Sequence, residues 1–580
     1  MNNSKTNFIL TQRKAVLFCL TVFFFYLCTL KNGCEIWNID AFYYLTLAKS
    51  LITLDGYKIL GIPHTLYPFG FPLLLAPVVG IFGYNFLIIQ IFLITIAVFA
   101  LFVCFVFLRR FYNGKLADTA FLLTGISYFF WSFNCNIIVS EIPYLLFSLL
   151  ALIVAQKSLK EDNNVIRNAI LLSVLILAAY FTRLVGIALL AAVCIFACKP
   201  LIKRQKDALK RLGTILIICG IAIGAWYVRG KLLENLEASW SYEQEFAQRA
   251  ITDKEVGQPL SSYTFTVIKR NLINNTTHIA SLVTSIPKFP HSLRFWGYLI
   301  SLLFVIGFLY SLIKKSTVVE WYLAFYIGIH LLWPYDYVRF WYPVAPLVFF
   351  YLLKTLSLIK ENLLSRGGSS SWWKAIFFSL LFCGFFLVYI PLSETQYYEG
   401  GLMGYYQMIV TFVFVIFYFF VLTTSFIFAF YEPRVTGYES RILKIAFAIL
   451  IFHSLSMIAY RTYLKHQDYG LRTVGKLYFQ EMGQWLRQNS NKDDVVMCDG
   501  PVVFGVFSER SCVQFPKVPA TQDIIDTIQK ENVRYVLIES NKKPFLQNLR
   551  ELEVFHVLNF KEILQVEGNL LLKIEHSNLP

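Results

Sequence analysis

Residues 38–77 read NIDAFYYLTLAKSLITLDGYKILGIPHTLYPFGFPLLLAP and lie between an apolar segment ending near Leu30 and another spanning residues 86–108. Asp40 therefore stands within a few residues of a membrane surface. After it come a polar-aromatic amphipathic segment, His64, and a Tyr-Pro-x-Gly-x-Pro turn that feeds back toward the bilayer. Ionisable groups at such a boundary are costly to keep and mark a functional site by default.

Working outward, composition identifies the solvent. The chain is 57% hydrophobic and 17% aromatic, with a mean hydropathy of +0.57, far from the values of a soluble enzyme of this length. A spanning helix needs roughly 20 mostly apolar residues. The sequence predicts about thirteen: residues 14–30, 86–108, 118–134, 137–156, 166–182, 184–198, 212–229, 295–313, 318–333, 338–356, 374–391, 407–430 and 442–460. Residues 71–85 read either as a loop or as a half-inserted segment.

Lysine and arginine set the orientation. Lys5, Arg13 and Lys14 precede the first span, and alternate connections repeat the pattern with Arg109, Arg110 and Lys115, then Lys157, Lys160 and Arg167, then the cluster from Lys199 to Arg211. This predicts a cytoplasmic N-terminus and an external C-terminus. The net charge of +16 is then explained by basic loops beside anionic lipid. No basic-aromatic groove motif points to nucleic acid. The first 30 residues end in LKNGC without a small-x-small cleavage pattern, so they read as an uncleaved span and not as a signal peptide.

Three external connections are long: residues 31–85, residues 230–294 and the tail from about 461. The second carries SWSYEQEFAQRAITDKEVGQ (residues 239–258), a charged piece with helical character. The tail alternates helix-like and strand-like runs: helices over 480–488 and 521–532, strands over 494–498 and 533–539, and two or three further strand-like runs in 554–574. The expected architecture is a polytopic α-helical domain over 1–460 followed by a small α/β domain over 461–580. The tail contains no GxGxxG or P-loop pattern. Of the 11 cysteines, most fall inside spans, while Cys34, Cys135, Cys498 and Cys512 are expected on the external side. Neither CxxC nor HExxH occurs, which argues against a structural zinc.

Asp40 with FYYLTLAKSL (42–51) and YPFGFPLLLAP (67–77) resembles the first outer loop of the membrane glycosyltransferases of the C-type fold, which use polyprenyl-phosphate sugars. SEIPYLL (140–146) is similar to the start of the family's fourth span. TRLVGIALL (182–190) resembles the short re-entrant turn after its fifth, and RFWYPVAP (339–346) resembles its later Arg-aromatic-Pro signature. The four motifs cover residues 35–355 in the family's order, all at outer boundaries. The resemblance is to the broad bacterial group related to aminoarabinose transferase and the protein O-mannosyltransferases. Two departures stand out. The Asp-Glu pair of the mannosyltransferases is missing, since Ala41 follows Asp40, and so is the Glu-Ala-Arg-Tyr-like sequence of the aminoarabinose transferases.

The resemblance implies an inverting transfer of a sugar from a polyprenyl-phosphate donor to an envelope glycan, lipid or protein, on the periplasmic face of a bacterial inner membrane. Such a reaction needs a base for the acceptor hydroxyl and cations for the departing phosphate. Asp40 is the candidate base, with an N-cap of the following helix as its plain structural alternative. Glu141 is the second acid, able to position the acceptor or complement its own helix N-terminus. Arg339 and Arg183 are candidates to grip the carrier phosphate, against simple snorkelling at span ends. His64, Lys58 and Tyr67 are further phosphate candidates in the first loop. Glu141 and His64 could share a divalent ion, though the chemistry requires no cofactor. Asp336 is expected only to close the turn before Arg339. A polysaccharide ligase or polymerase using a lipid-pyrophosphate glycan, and a lipid-linked-sugar flippase, are the alternative classes. A transporter would place its ionisable residues near the midplane of repeated, broken helices.

Overall fold

A computed structural model of the protein describes residues 12–30, 39–54, 56–112, 114–135, 137–158, 164–202, 206–234, 260–285, 294–333, 335–365, 458, 462, 477–516, 521–540 and 559–575. The chain opens with helices α1 (Gln12–Cys28) and α2 (Ile39–Ile52), a two-residue-per-strand hairpin of β1 (Lys58–Ile59) and β2 (Ile62–Pro63), and α3 (Gly70–Phe82). There follow α4 (Phe86–Phe111), α5 (Lys115–Ile126), α6 (Tyr128–Cys135), α7 (Glu141–Ser158), α8 (Val165–Thr182), α9 (Ile187–Ile202) and α10 (Lys206–Glu234). Helices α11 (Leu260–Thr284), α12 (Arg294–Lys315), α13 (Val318–Leu332) and α14 (Ala345–Ser365) complete the described part of the bundle, the last preceded by a 3-10 turn over Val338–Val344.

Among the described residues six helices are long and apolar enough to cross a membrane, or seven if the pair α5 and α6, bent by 44°, is one span. This is fewer than the ten spans read from the sequence up to residue 356. The difference is one of length. Helices α1, α9 and α13 have 17, 16 and 15 residues. At about 1.5 Å per residue they fall short of a hydrocarbon core about 30 Å thick. The spans read at 374–391, 407–430 and 442–460 lie, apart from Ile458, outside the described residues, as do residues 239–258 and Cys34. Residues 70–82 form a short apolar helix, not a loop. The bend between α5 and α6 falls at Ser127, whose extended backbone breaks the ladder. The freed N–H of Tyr128 finds Ser285 Oγ at 3.3 Å.

Two local devices fix the first loop. Leu60 and Gly61 both have positive φ, 52° and 79°, which gives the hairpin a turn twisted in the same sense as its strands. Gly70 opens α3 against the backbone of α8. A Cβ built there would lie 2.6 Å from the carbonyl of Phe181, so only glycine admits this approach.

The tail contains α15 (Leu477–Asn489), β3 (Val495–Cys498), α16 (Pro501–Ser508), β4 (Ser511–Gln514), α17 (Thr521–Lys530), β5 (Val533–Ile538), β6 (Asn559–Val566) and β7 (Asn569–Glu575). Its five strands form one sheet in the order β4-β3-β5-β7-β6. The first three are parallel, β7 pairs antiparallel with β5, and β6 pairs antiparallel with β7. Helix α16 and strand β4 were not expected, and of the stretch read as strand-like over 554–574 the described part, from residue 559, forms two strands. Cys135, Cys498 and Cys512 are buried thiols, none of them in a disulfide. Helix α16 touches the bundle: the ring of Phe507 lies 5.5 Å from Phe42 on α2 and 5.7 Å from Phe86 on α4. Aromatic pairs at this spacing add packing energy beyond their burial.

Candidate active site

Four short motifs, far apart in sequence, converge on one cluster of charge. Asp40 occupies the first turn of α2, and Glu141 opens α7. Arg183 caps the end of α8 with extended backbone, φ −149° and ψ 131°, before a 3-10 turn over Leu184–Gly186. Arg339 enters from the 3-10 turn that leads into α14. Each stands where a helix begins or ends, so each side chain leaves the apolar bundle at a terminus and not through its wall.

The contacts are direct. Arg339 Nη2 pairs with Asp40 Oδ2 at 2.7 Å, with side-chain exposures of 24% and 23%. Tyr67 donates its hydroxyl to the other oxygen, Asp40 Oδ1, at 2.8 Å. Glu141 is almost wholly buried, and its Oε1 lies 2.5 Å from Arg183 Nη1 and 3.6 Å from Arg339 Nε. Arg183 also donates to Ser140 Oγ at 3.3 Å, and Tyr44 and Ser140 share a hydroxyl–hydroxyl contact of 3.2 Å. Both guanidinium carbons stand over the ring of Phe340, at 5.4 and 5.6 Å. Two acids and two arginines leave the cluster formally neutral. Glu141 anchors both cations, while the partly exposed Asp40 is held by one arginine and one neutral hydroxyl.

The remaining first-loop candidates lie to one side. His64 Nε2 accepts the backbone N–H of Tyr67 at 2.9 Å, and the two rings stack at 5.3 Å. Burial, and next the Arg229 guanidinium, push the His64 pKa down to about 3. A neutral ring with Nε2 engaged carries its proton on Nδ1. His64 therefore supplies no positive charge to a phosphate, and its Nε2 is not open to a metal. Glu141 is likewise committed to two arginines, and among the described residues no three of His, Cys, Asp and Glu gather as a metal site. The expected shared ion at Glu141 and His64 finds no such arrangement. Asp336 does more than close a turn, since Asn274 of α11 donates its side-chain amide to the Asp336 carboxylate.

Lys58 lines a separate cavity of about 360 Å³, together with Tyr57, Pro63, Arg229, Leu232 and Leu233. Arg229 Nη1 donates to the His64 carbonyl at 2.9 Å, and its guanidinium carbon lies 4.9 Å from the Trp226 ring centroid and 5.6 Å from that of Tyr57. The cavity is one residue from the charge cluster, because Tyr57 donates its hydroxyl to the carbonyl of Tyr67 at 2.9 Å. Sequence reasoning missed Arg229. The signal was present: an arginine just after two aromatics (Trp226, Tyr227) at a span end, in the manner of Arg339 among its own aromatics.

No family model and no curated protein matches the chain. Among solved structures it is similar to ArnT from Cupriavidus metallidurans bound to undecaprenyl phosphate, with TM-score 0.56 and 13% identity, covering 96% of this chain and 97% of that one. The same protein in the apo state gives TM-score 0.57 and 12% identity, covering 96% of each chain. The archaeal oligosaccharyltransferase AglB from Archaeoglobus fulgidus, in complex with an inhibitory peptide and a dolichol-phosphate, is a more distant likeness. It has TM-score 0.44 and 12% identity over 91% of this chain and 70% of that one. The chain thus has the C-type membrane glycosyltransferase fold, as the motifs around Asp40, Glu141, Arg183 and Arg339 imply.

Proposed function

We propose that this protein is an inverting glycosyltransferase that moves a sugar from a polyprenyl phosphate to a hydroxyl acceptor of the cell envelope, with Asp40 as the base. The observation that carries the reading is the setting of Asp40: a half-open carboxylate, oriented by Arg339 and Tyr67, in the fold shared with ArnT. The acceptor oxygen attacks the anomeric carbon as its proton passes to Asp40. The bond from that carbon to the phosphate oxygen breaks, and the polyprenyl phosphate leaves with the electron pair. A phosphate is already a good leaving group, so the remaining requirement is charge stabilisation where negative charge develops.

Charge balance suggests where the phosphate sits. Arg183 and Arg339 are matched by Glu141 and Asp40, whereas the cavity beside them carries Lys58 and Arg229 and no acid among its lining residues. Two cations and no acid beside a mostly apolar, leucine-walled cavity favour a lipid phosphate there over the neutral quartet. Arg339 is linked to the cavity through Asp40, Tyr67 and Tyr57, and Asp40 takes up the proton at the near end of that chain. Arg183 then serves to hold Glu141 and does not grip the phosphate. The alternation of basic loops supports an external active face and an external C-terminal domain.

Two measurements test this. Purified Asp40→Asn protein should lose transfer from polyprenyl-phosphate sugars while remaining folded, and near-normal transfer would overturn the assignment of the base. Mass spectrometry of envelope lipids and glycans, from cells with and without the protein, should show one sugar-sized difference. No difference in any envelope fraction would count against the whole reading.

A further inference from the structure

Helix α11 carries Asn271, Asn274 and Asn275, which the helical repeat sets on one face at i, i+3 and i+4. Three asparagines in five residues weaken a helix, and Asn271 and Asn275 are also buried, at 0% and 9% exposure. Buried amides are costly unless bonded. All three are bonded to one stretch of chain, residues 330–341, which ends around Arg339.

Asn271 Nδ2 donates to the carbonyls of Leu331 and Trp333 at 3.0 and 2.6 Å, with that of His330 at 3.3 Å. These carbonyls stand at and just past the end of α13, where a helix supplies no N–H of its own. Asn274 donates its amide to the carboxylate of Asp336, three residues before Arg339. Asn275 Oδ1 accepts the indole N–H of Trp341, two residues after it, at 2.9 Å. The arginine is thus bracketed on both sides by bonds to a single helix. A segment of 3-10 turn and extended backbone has few internal bonds to fix it, so these external ones, with the hydroxyl of Tyr326 on the Phe340 carbonyl, hold it in place.

The geometry points to Asn271, Asn274 and Asn275 as positioning residues that set the place of the Arg339 guanidinium against Asp40. The inference rests on the reading of Asp40 and Arg339 as the reaction centre, but the placement itself can be measured without any reaction. The asparagines act through the loop, so their loss displaces Arg339 while leaving its charge intact. Replacing Asn274 frees the turn before it, and replacing Asn275 frees the turn after it.

The test uses full-length protein in membranes and two readouts. In the first, Arg339→Cys is labelled with a membrane-impermeant maleimide and the modified peptide is quantified by mass spectrometry. Adding Asn274→Ala should raise the labelling rate about fivefold, the scale of one lost hydrogen bond, while Asn489→Ala in the tail should leave it unchanged. In the second, Asn274→Ala and Asn275→Ala should each lower kcat about tenfold with the donor KM within about twofold. Neither should lower it further in an Arg339→Lys background, because coupled residues are non-additive. Unchanged labelling with Asn274→Ala overturns the inference, and so do losses that simply add to that of Arg339→Lys. Should Asn275→Ala fail to fold, Asn275→Asp retains the oxygen that accepts from Trp341, and must restore kcat relative to Asn275→Leu. A wild-type protein without transfer activity would overturn the proposed function and leave the labelling result to decide the placement.

Discussion

Glu320 and Glu141 are both glutamates in the first turn of a bundle helix, both 1% exposed, and they are built in opposite ways. Glu320 is saturated with neutral donors. Its Oε2 accepts the N–H and hydroxyl of Thr317 in a capping box, and its Oε1 accepts the hydroxyls of Tyr112 and Tyr351 at 2.9 and 2.7 Å. Glu141 is held by charge, one oxygen lying beside two guanidiniums. Neutral donors can compensate a buried carboxylate and so close a structure. Cations crowded on one oxygen bring positive charge to a site, where a further acid, here Asp40, shares it. Burial of an acid therefore does not identify a site, whereas the nature of its partners does.

The sharpest break of this comparison comes from exchanging carboxylate for amide at each end. Asp40→Asn should reduce glycosyl transfer at least about 10²-fold, and Glu320→Gln should leave kcat within about threefold. An equal loss in both would erase the distinction. Next in size is Glu141→Gln, which strands a buried arginine. It should destabilise the protein by about 3–5 kcal/mol, measured by unfolding in detergent. The double variant Glu141→Gln/Arg183→Gln should recover at least half of that loss. A double variant no more stable than the single would show that Glu141 is not held chiefly by charge.

The cationic cavity extends the comparison to the donor. Lys58→Ala and Arg229→Ala should each raise the donor KM about tenfold with little change in kcat, since a charged hydrogen bond is worth about 1.5–3 kcal/mol. If Arg183→Ala did this and the cavity variants did not, the phosphate would belong with the quartet. The mildest perturbation is that of pH. His64 has its pKa lowered from 6.5 to about 3, so between these values the unfolded chain binds the proton that the folded loop refuses. Stability is complete above about pH 6.5 and declines as pH falls toward 3. The melting temperature of the wild type should thus fall more steeply below pH 6.5 than that of His64→Asn.

The parts legible in the sequence were those where polar residues interrupt apolar runs. Asp40, Glu141, Arg183 and Arg339 each stand at such an interruption, and the structure brings all four together. Their roles are proposals, but their convergence needed no side-chain detail to anticipate. Arg229 was less visible because it ends an apolar run in the way a snorkelling residue would. The asparagines of α11 gave no signal at all, since their meaning lies in a loop some 60 residues away, as the sequence separation of Asn271 and Leu331 shows. Of the ten spans read up to residue 356, up to seven match described helices long and apolar enough to cross a membrane, because hydropathy reports composition and not the length of unbroken helix. The same ambiguity hid α16: VVFGVF (residues 502–507) is a short apolar run that periodicity cannot divide between helix and strand.

The glycine at position 70 has a consequence for how the cluster behaves as a whole. With no side chain there, the chain three residues beyond Tyr67 presses on the peptide group one residue before Arg183, at 2.6 Å from an ideal Cβ. Tyr67 steadies the exposed acid and Arg183 steadies the enclosed one, so the two supports share a single fulcrum. A methyl group inserted at that point would shift both together, much as moving one gear turns its neighbour, although neither acid lies at the inserted atom.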